Sequence, residues 1–175
     1  MVVFLYRADR TDMFDAVAIG EPDEFLYGYN HYLKYDSRVS ITGPSFGKNR
    51  ILRDTWKYTV GWIPKYLKLR FSFTQLCQSW DVLRKAKVVF STVDTMGLPL
   101  LFLVKLGLIE AYVHYLSQGL TNIYEEQTLN GLRGRLNRWI NSWLLKSANR
   151  IYVLGDGAKI ALHKNLRISL NRISC

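Results

Sequence analysis

Residues 87–121, KVVFSTVDTMGLPLLFLVKLGLIEAYVHYLSQGLT, constrain the fold more than any other part of the chain. A short β-branched and aromatic run at 88–90 leads into the polar loop Ser91-Thr92-Val93-Asp94-Thr95. An apolar stretch follows that opens as a helix near Gly97-Leu98-Pro99 and is ended by Gly107. A second apolar run, 111–116, closes on the polar turn Ser117-Gln118-Gly119. Two strands joined by an apolar helix form a βαβ crossover, which dictates parallel pairing. Both polar loops, 91–95 and 117–122, then leave the carboxyl ends of parallel strands, where open α/β sheets bind ligands.

The rest of the chain extends this alternation. Residues 2–6 read as a first strand, followed by a long acidic loop. Phe25, Tyr29 and Leu33 recur at helical spacing, with Asp23 placed to cap a helix that runs to about Tyr35. Residues 39–42 are a second strand, ended by Gly43-Pro44. Residues 50–71 read as two helical pieces separated around 61–64, and about 74–85 as a further helix. Past the central block, 129–147 is a long amphipathic helix with Leu132, Leu136, Trp139, Ile140, Trp143 and Leu144 on one side. A strand at 151–154 and a helix from Gly157 to about Asn165 complete the series. Five strands alternating with helices give an α/β fold, a Rossmann-like, doubly wound and mostly parallel sheet with helices on both faces. A chain of 175 residues suffices for one such domain, assigned to residues 1–166, with 167–175 as a short tail.

Only Cys77 and Cys175 are available for a disulfide, a pattern of free thiols that fits the cytosol. No basic flank or cleavage pattern of a signal peptide precedes the first strand. The longest apolar segment, 97–109, is interrupted by Lys105 and is shorter than the ~20 residues a membrane span needs. The expected location is the cytoplasm, free or peripheral at the inner membrane face.

The net charge of +10 is confined to two blocks. Residues 48–87 carry ten basic against two acidic side chains, and 133–175 carry nine against one. In the first block Trp56, Tyr58, Trp62, Tyr66, Phe71, Phe73 and Trp80 are interleaved with the cations. Aromatic rings beside Lys and Arg suit an anionic membrane surface, with Lys57, Trp62, Lys65 and Lys68 as its candidates. A solvated basic face over an ordinary aromatic core has the same composition. Binding of nucleic acid is not expected, since no zinc-finger, helix-turn-helix or RNP-like pattern accompanies the charge.

Chemical motifs are scarce. Gly43-Pro44-Ser45-Phe46-Gly47-Lys48 is one residue short of a phosphate loop and is followed by Asn49 where Ser or Thr would hold magnesium. No G-x-G-x-x-G follows the first strand, and no G-x-S-x-G elbow is present. Gly155-Asp156-Gly157 is a strand-to-helix turn that either cradles a phosphate or is simply tight. His31, His114 and His163 share no metal-ligand spacing with either cysteine, so no metal site is assigned. His114 alternates with Tyr112 and Leu116 on one strand face and reads as a packed histidine. Asp94 and Gln118, at strand ends, are the stronger site candidates, with helix capping and turn satisfaction as their structural alternative.

Four segments together carry a resemblance: DEFLYGYN at 23–30, FSTVDTMGLPL at 90–100, LSQGLT at 116–121 and LKSANRIYV at 145–153. In this order they resemble the N-terminal half of family-four glycosyltransferases, GT-B enzymes whose two Rossmann-like domains face a cleft. The resemblance implies an acceptor-side domain of a retaining, metal-independent enzyme, with a glycan or lipid-linked acceptor. It also implies that Tyr27, Gly28, Asp94, Gln118, Gly119 and Gly155 line the cleft, the glycines for close backbone approach and Asp94 and Gln118 for acceptor hydroxyls. Many members carry a histidine where this chain has Gln118. The donor-binding domain with its paired glutamates has no counterpart in these residues. The nucleotide-sugar donor therefore has no site here and no cofactor is assigned. No catalytic residue is assigned, a truncated or frame-disrupted sequence is expected, and negligible transfer by this chain alone is expected. A non-catalytic α/β module that docks on a membrane surface or a protein is the alternative.

Overall fold

The alternation read from 88–90 and 111–116 forms two neighbouring parallel strands in the computed structural model of the protein. The structure describes residues 1–6, 29, 32, 34, 39–42, 62–73, 76, 79–120, 122 and 131–175. The strands are β1 (Val2–Leu5), β2 (Val39–Thr42), β3 (Val88–Ser91), β4 (Tyr112–Ser117), β5 (Arg150–Val153) and β6 (Ile173–Ser174). The described helices of four residues or more are α1 (Trp62–Tyr66), α2 (Trp80–Leu83), α3 (Asp94–Lys105), α4 (Gly131–Leu145) and α5 (Asp156–Leu166).

The sheet order is β2-β1-β3-β4-β5-β6, with every pairing parallel. The chain runs outward from β1 to β2, returns past β1 to β3, and then proceeds the other way. The direction of winding thus reverses between β1 and β3, which is the switch point of a doubly wound, Rossmann-like sheet. The period of two separates the side chains cleanly. Val3, Leu5, Val89, Val113, Tyr115, Ile151 and Val153 are buried and join Leu98, Leu101, Leu144 and Leu162 in one hydrophobic core. Each such aliphatic side chain contributes on the order of 1.5–3 kcal/mol when fully buried. Phe4, Phe90, His114 and Tyr152 occupy the other face, where the helical residues Tyr29 and Tyr32 pack edge-on against Phe4. Helical residues therefore cover both faces.

Three departures from the sequence reading have physical causes. First, α3 opens at Asp94 rather than near Gly97-Leu98-Pro99, so Pro99 lies inside the helix. Proline has no N–H to offer the carbonyl one turn back. That carbonyl, of Thr95, instead accepts the backbone N–H of Ser72 at 2.8 Å, and the contact ties the segment after α1 to α3.

Second, the apolar stripe of α4 is only partly its buried face: Leu144 is buried and Ile140 and Trp143 pack against the core, while Leu132, Leu136 and Trp139 are exposed. Gly134, Asn137, Asn141, Leu144 and Leu145 point inward. The cause is hydrogen bonding. Nδ2 of Asn137 donates to the Leu67 carbonyl at 2.7 Å, and Nδ2 of Asn141 donates to Oδ1 of Asn137 at 2.9 Å. Leaving such carbonyls buried and unpaired costs about 1–3 kcal/mol each, so two asparagines at the contact are favoured over leucines.

Third, the segment 167–175 ends in a sheet strand, Ile173–Ser174. Arg167 closes α5 in the left-handed region at φ 54°, Leu170–Arg172 make a short 3-10 turn, and β6 pairs with β5 through Ile151↔Ile173 and Tyr152↔Ser174. Ile168 and Ile173 are buried. A two-residue strand lacks enough residues to show alternation in sequence. Among the described residues no helix is long and apolar enough to cross a membrane.

Candidate functional site

The bond from Ser72 to Thr95 places Arg70 beside the first turn of α3. There Nη1 of Arg70 lies 3.5 Å from Oδ2 of Asp94. From beneath, β4 sends Tyr115 up to donate its hydroxyl to Oδ1 of Asp94 at 2.5 Å. Gly97 makes this approach feasible, because a β-carbon there would meet the Tyr115 ring at 2.5 Å and Oγ of Ser91 at 2.7 Å. The backbone N–H groups of Gln118 and Gly119, at the carboxyl end of β4, also donate to the Asp94 carboxylate. A carboxylate offers about four lone-pair sites, and here four protein groups occupy them.

Burial raises the pKa of Asp94 above the ordinary carboxylate value, while Tyr115, Arg70 and the two backbone N–H groups pull it back. In this geometry Asp94 holds the 118–119 turn in place. Arg70 completes the cluster by lying over Gly119, where a β-carbon would sit 2.6 Å from Nη1. Gly119 is thus needed for close approach, and what approaches is a guanidinium of the same chain.

A second feature at this end of the sheet lies on the opposite face. A cavity of about 400 Å³ opens there, lined among others by Phe90, Thr92, His114, Leu116, Tyr152 and Leu154. Its floor is a row of rings set by strand register, since Phe4, Phe90 and His114 are paired across β1, β3 and β4. Phe4 stacks on Phe90 at 4.8 Å, Phe90 on His114 at 4.6 Å, and His114 on Tyr152 at 5.9 Å. Nδ1 of His114 lies 3.1 Å from the Tyr152 hydroxyl, and among the described residues nothing engages Nε2. Burial first, and the charge of Arg150 second, lower the His114 pKa and so favour the neutral ring; in that form one nitrogen accepts while the other donates. Thr92, buried beneath the cavity, gives its hydroxyl proton to the Leu5 carbonyl at 3.1 Å. Mostly apolar walls with a few convergent polar atoms are the usual make-up of a small-molecule site.

The structure brings Asp94, Gln118 and Gly119 into one cluster. Gly155 stands at the neighbouring end of β5, exposed, with φ 94° and open space where a β-carbon would be. The cavity wall includes Val153 and Leu154, so Gly155 lies next along the chain from its rim. Tyr27, Gly28 and the near phosphate loop at 43–48 lie outside the described residues. Of the membrane candidates, Trp62, Lys65 and Lys68 are exposed on and just after α1, and Lys57 lies outside the described residues.

Sequence spacing does not single out Arg70, Tyr115, Phe90 or Tyr152 as site residues, and it reads His114 as packed, whereas the ring is only half-buried. A signal existed in part: on β4 the buried positions are Val113, Tyr115 and Ser117, while the alternate set Tyr112, His114 and Leu116 is left for the other face. Among the described residues no group of three or more His, Cys, Asp or Glu side chains is placed to hold a metal ion. Comparison of the chain with protein-family models, with curated proteins and with solved structures finds no match.

Proposed function

We propose that this chain is the acceptor-side domain of a two-domain glycosyltransferase, with the acceptor bound in the cavity at the carboxyl end of β3, β4 and β5. The observation that carries the reading is the ring-floored cavity around His114, located beside the β1/β3 switch point. An aromatic floor supports the apolar face of a sugar ring or an isoprenoid stem. His114 Nε2 is available to orient hydroxyl groups. Asp94 acts one step removed, by holding Gln118 and Gly119 at the strand end. The donor would be held by a partner domain across the cleft, in cis or in trans, as the resemblance in the quoted segments implies.

The test is to incubate the chain with nucleotide sugars and with glycan and polyprenyl phosphate acceptors. Saturable acceptor binding without turnover is expected. Steady sugar transfer by this chain alone, or tight mononucleotide binding with no acceptor binding, would overturn the proposal. The rival reading, a non-catalytic docking module, predicts that no acceptor binds the cavity at all.

A further inference from the structure

Five cations converge where α4 passes the carboxyl end of α5. Arg135 and Arg138 lie on α4 and Lys146 just past it, while Lys164 is in the last turn of α5 and Arg167 just beyond. They wall a cavity of about 520 Å³, with Trp139 as its one ring and no acidic residue. From 131 to 175 the only acidic side chain is Asp156. It opens α5, about 15 Å along the axis from Leu166 at the other end.

The ordinary uses of a surface cation do not account for this group. Among the described residues none of the five side chains makes an ion pair or a hydrogen bond. Cations near a helix carboxyl end commonly serve its last carbonyls. Here other side chains do so. Arg172 donates to the Lys146 and Ala148 carbonyls, Nδ2 of Asn165 donates to the Ala161 carbonyl at 3.0 Å, and Nδ1 of His163 lies 2.9 Å from the Ile168 carbonyl. Arg133, the other arginine of α4, has a partner as well, the Tyr66 ring at 4.9 Å. Like charges gathered in a concavity without partners concentrate counter-ions there.

We infer that this cavity binds a soluble anion carrying two or three linked phosphoryl groups. The two helix carboxyl ends contribute about −0.5 charge each, so the five cations leave about +4 to be balanced. One phosphoryl group carries about −1.5 to −2, and balance therefore takes two or three. Arg135, Arg138 and Arg167 offer forked donors to adjacent phosphate oxygens, and Lys146 and Lys164 add point charges. The volume falls within the roughly 300–1,000 Å³ of small-ligand sites. Single-stranded nucleic acid is gripped by a basic groove with a succession of stacking rings, whereas this is one cup with one ring. The inference is independent of the acceptor reading, because the cavity lies among the helices that pack on the core face of the sheet and the His114 cavity lies on the other face.

The experiment is calorimetric titration of the full chain with tripolyphosphate, pyrophosphate and inorganic phosphate at low and high salt. One tripolyphosphate per chain is expected, bound more tightly than pyrophosphate and much more tightly than phosphate, and weakened by salt. Arg135→Gln with Arg138→Gln should weaken it about tenfold, counting about threefold per exposed ion pair lost. Lys85→Gln with Lys87→Gln removes the same charge away from the cavity and should leave the affinity within about twofold. Both pairs are on the surface, and circular dichroism checks the fold. Should the arginine pair unfold the chain, Arg167→Gln decides: tripolyphosphate should raise the melting temperature of the wild type by more than that of this variant. No saturable binding of tripolyphosphate, several bound per chain, or equal losses in the arginine and lysine pairs would overturn the inference. So would tighter binding of a single-stranded RNA probe, or of phosphatidylglycerol vesicles that tripolyphosphate fails to displace.

Discussion

Tyr115 and Asp94, on successive elements of the central βαβ unit, meet at 2.5 Å between hydroxyl and Oδ1, and the whole strand-end cluster is organised around that bond. Replacing Tyr115 by Phe leaves a buried carboxylate short of one donor. The expected loss is about 1–3 kcal/mol of stability, measured by urea unfolding. Because Tyr115 is one of the groups that hold the Asp94 pKa down against burial, the same variant should raise that pKa further. An unchanged unfolding midpoint would mean that the bond is not formed.

Gly97 and Gly119 both face close neighbours, yet their substitution by Ala should differ. At Gly97 the added methyl meets a ring held by Asp94 and cannot be relieved by a small movement. Overpacking of about 1–3 kcal/mol is expected to exceed the ~1 kcal/mol that Ala gains over Gly in a helix. At Gly119 the neighbour is the end of the flexible Arg70 side chain, which can withdraw. Thermal unfolding should therefore show Gly97→Ala as the more destabilised of the two.

The central βαβ unit was legible in sequence because a β-branched run, an apolar helix and a second apolar run are each local signals. The sheet face on which His114 sits was legible too, but not what covers it, since coverage depends on which crossover packs there. The burial of α4 was misleading for a physical reason. Hydrophobic spacing reports a stripe, whereas the contact is decided by Asn137 satisfying the Leu67 carbonyl some 70 positions away. Arg70 was one cation among ten in its block. Its role depends on Pro99 leaving the Thr95 carbonyl free for Ser72, a chain of three contacts that no local pattern announces.

Asn137→Ala should test that reading of α4. Loss of the amide leaves the Leu67 carbonyl unpaired inside the protein, and a destabilisation of about 1–3 kcal/mol is expected from chemical denaturation. If the variant is as stable as the parent, the asparagine contacts do not determine which face of α4 is buried.

His114 should give the chain a pH-dependent stability. Its native pKa lies below the ordinary value because burial, and then Arg150, disfavour the cation. As pH falls through the unfolded value of about 6.5, the unfolded chain takes up the proton first, so stability is lost from there down to the native pKa. His114→Phe keeps the stacking and removes this slope. Parallel pH profiles for the two proteins would show that His114 is not burdened by burial.

Acceptor binding in the cavity around His114 is the proposal on which the functional reading rests. It is tested most directly by following the imidazole nitrogen signals of His114 in the full chain during titration with methyl glycosides, a disaccharide and farnesyl phosphate. A saturable shift of the His114 signals with at least one of these probes, weakened by Tyr152→Phe, is expected. Unmoved His114 signals across the whole set, in a chain whose fold is intact, would contradict it.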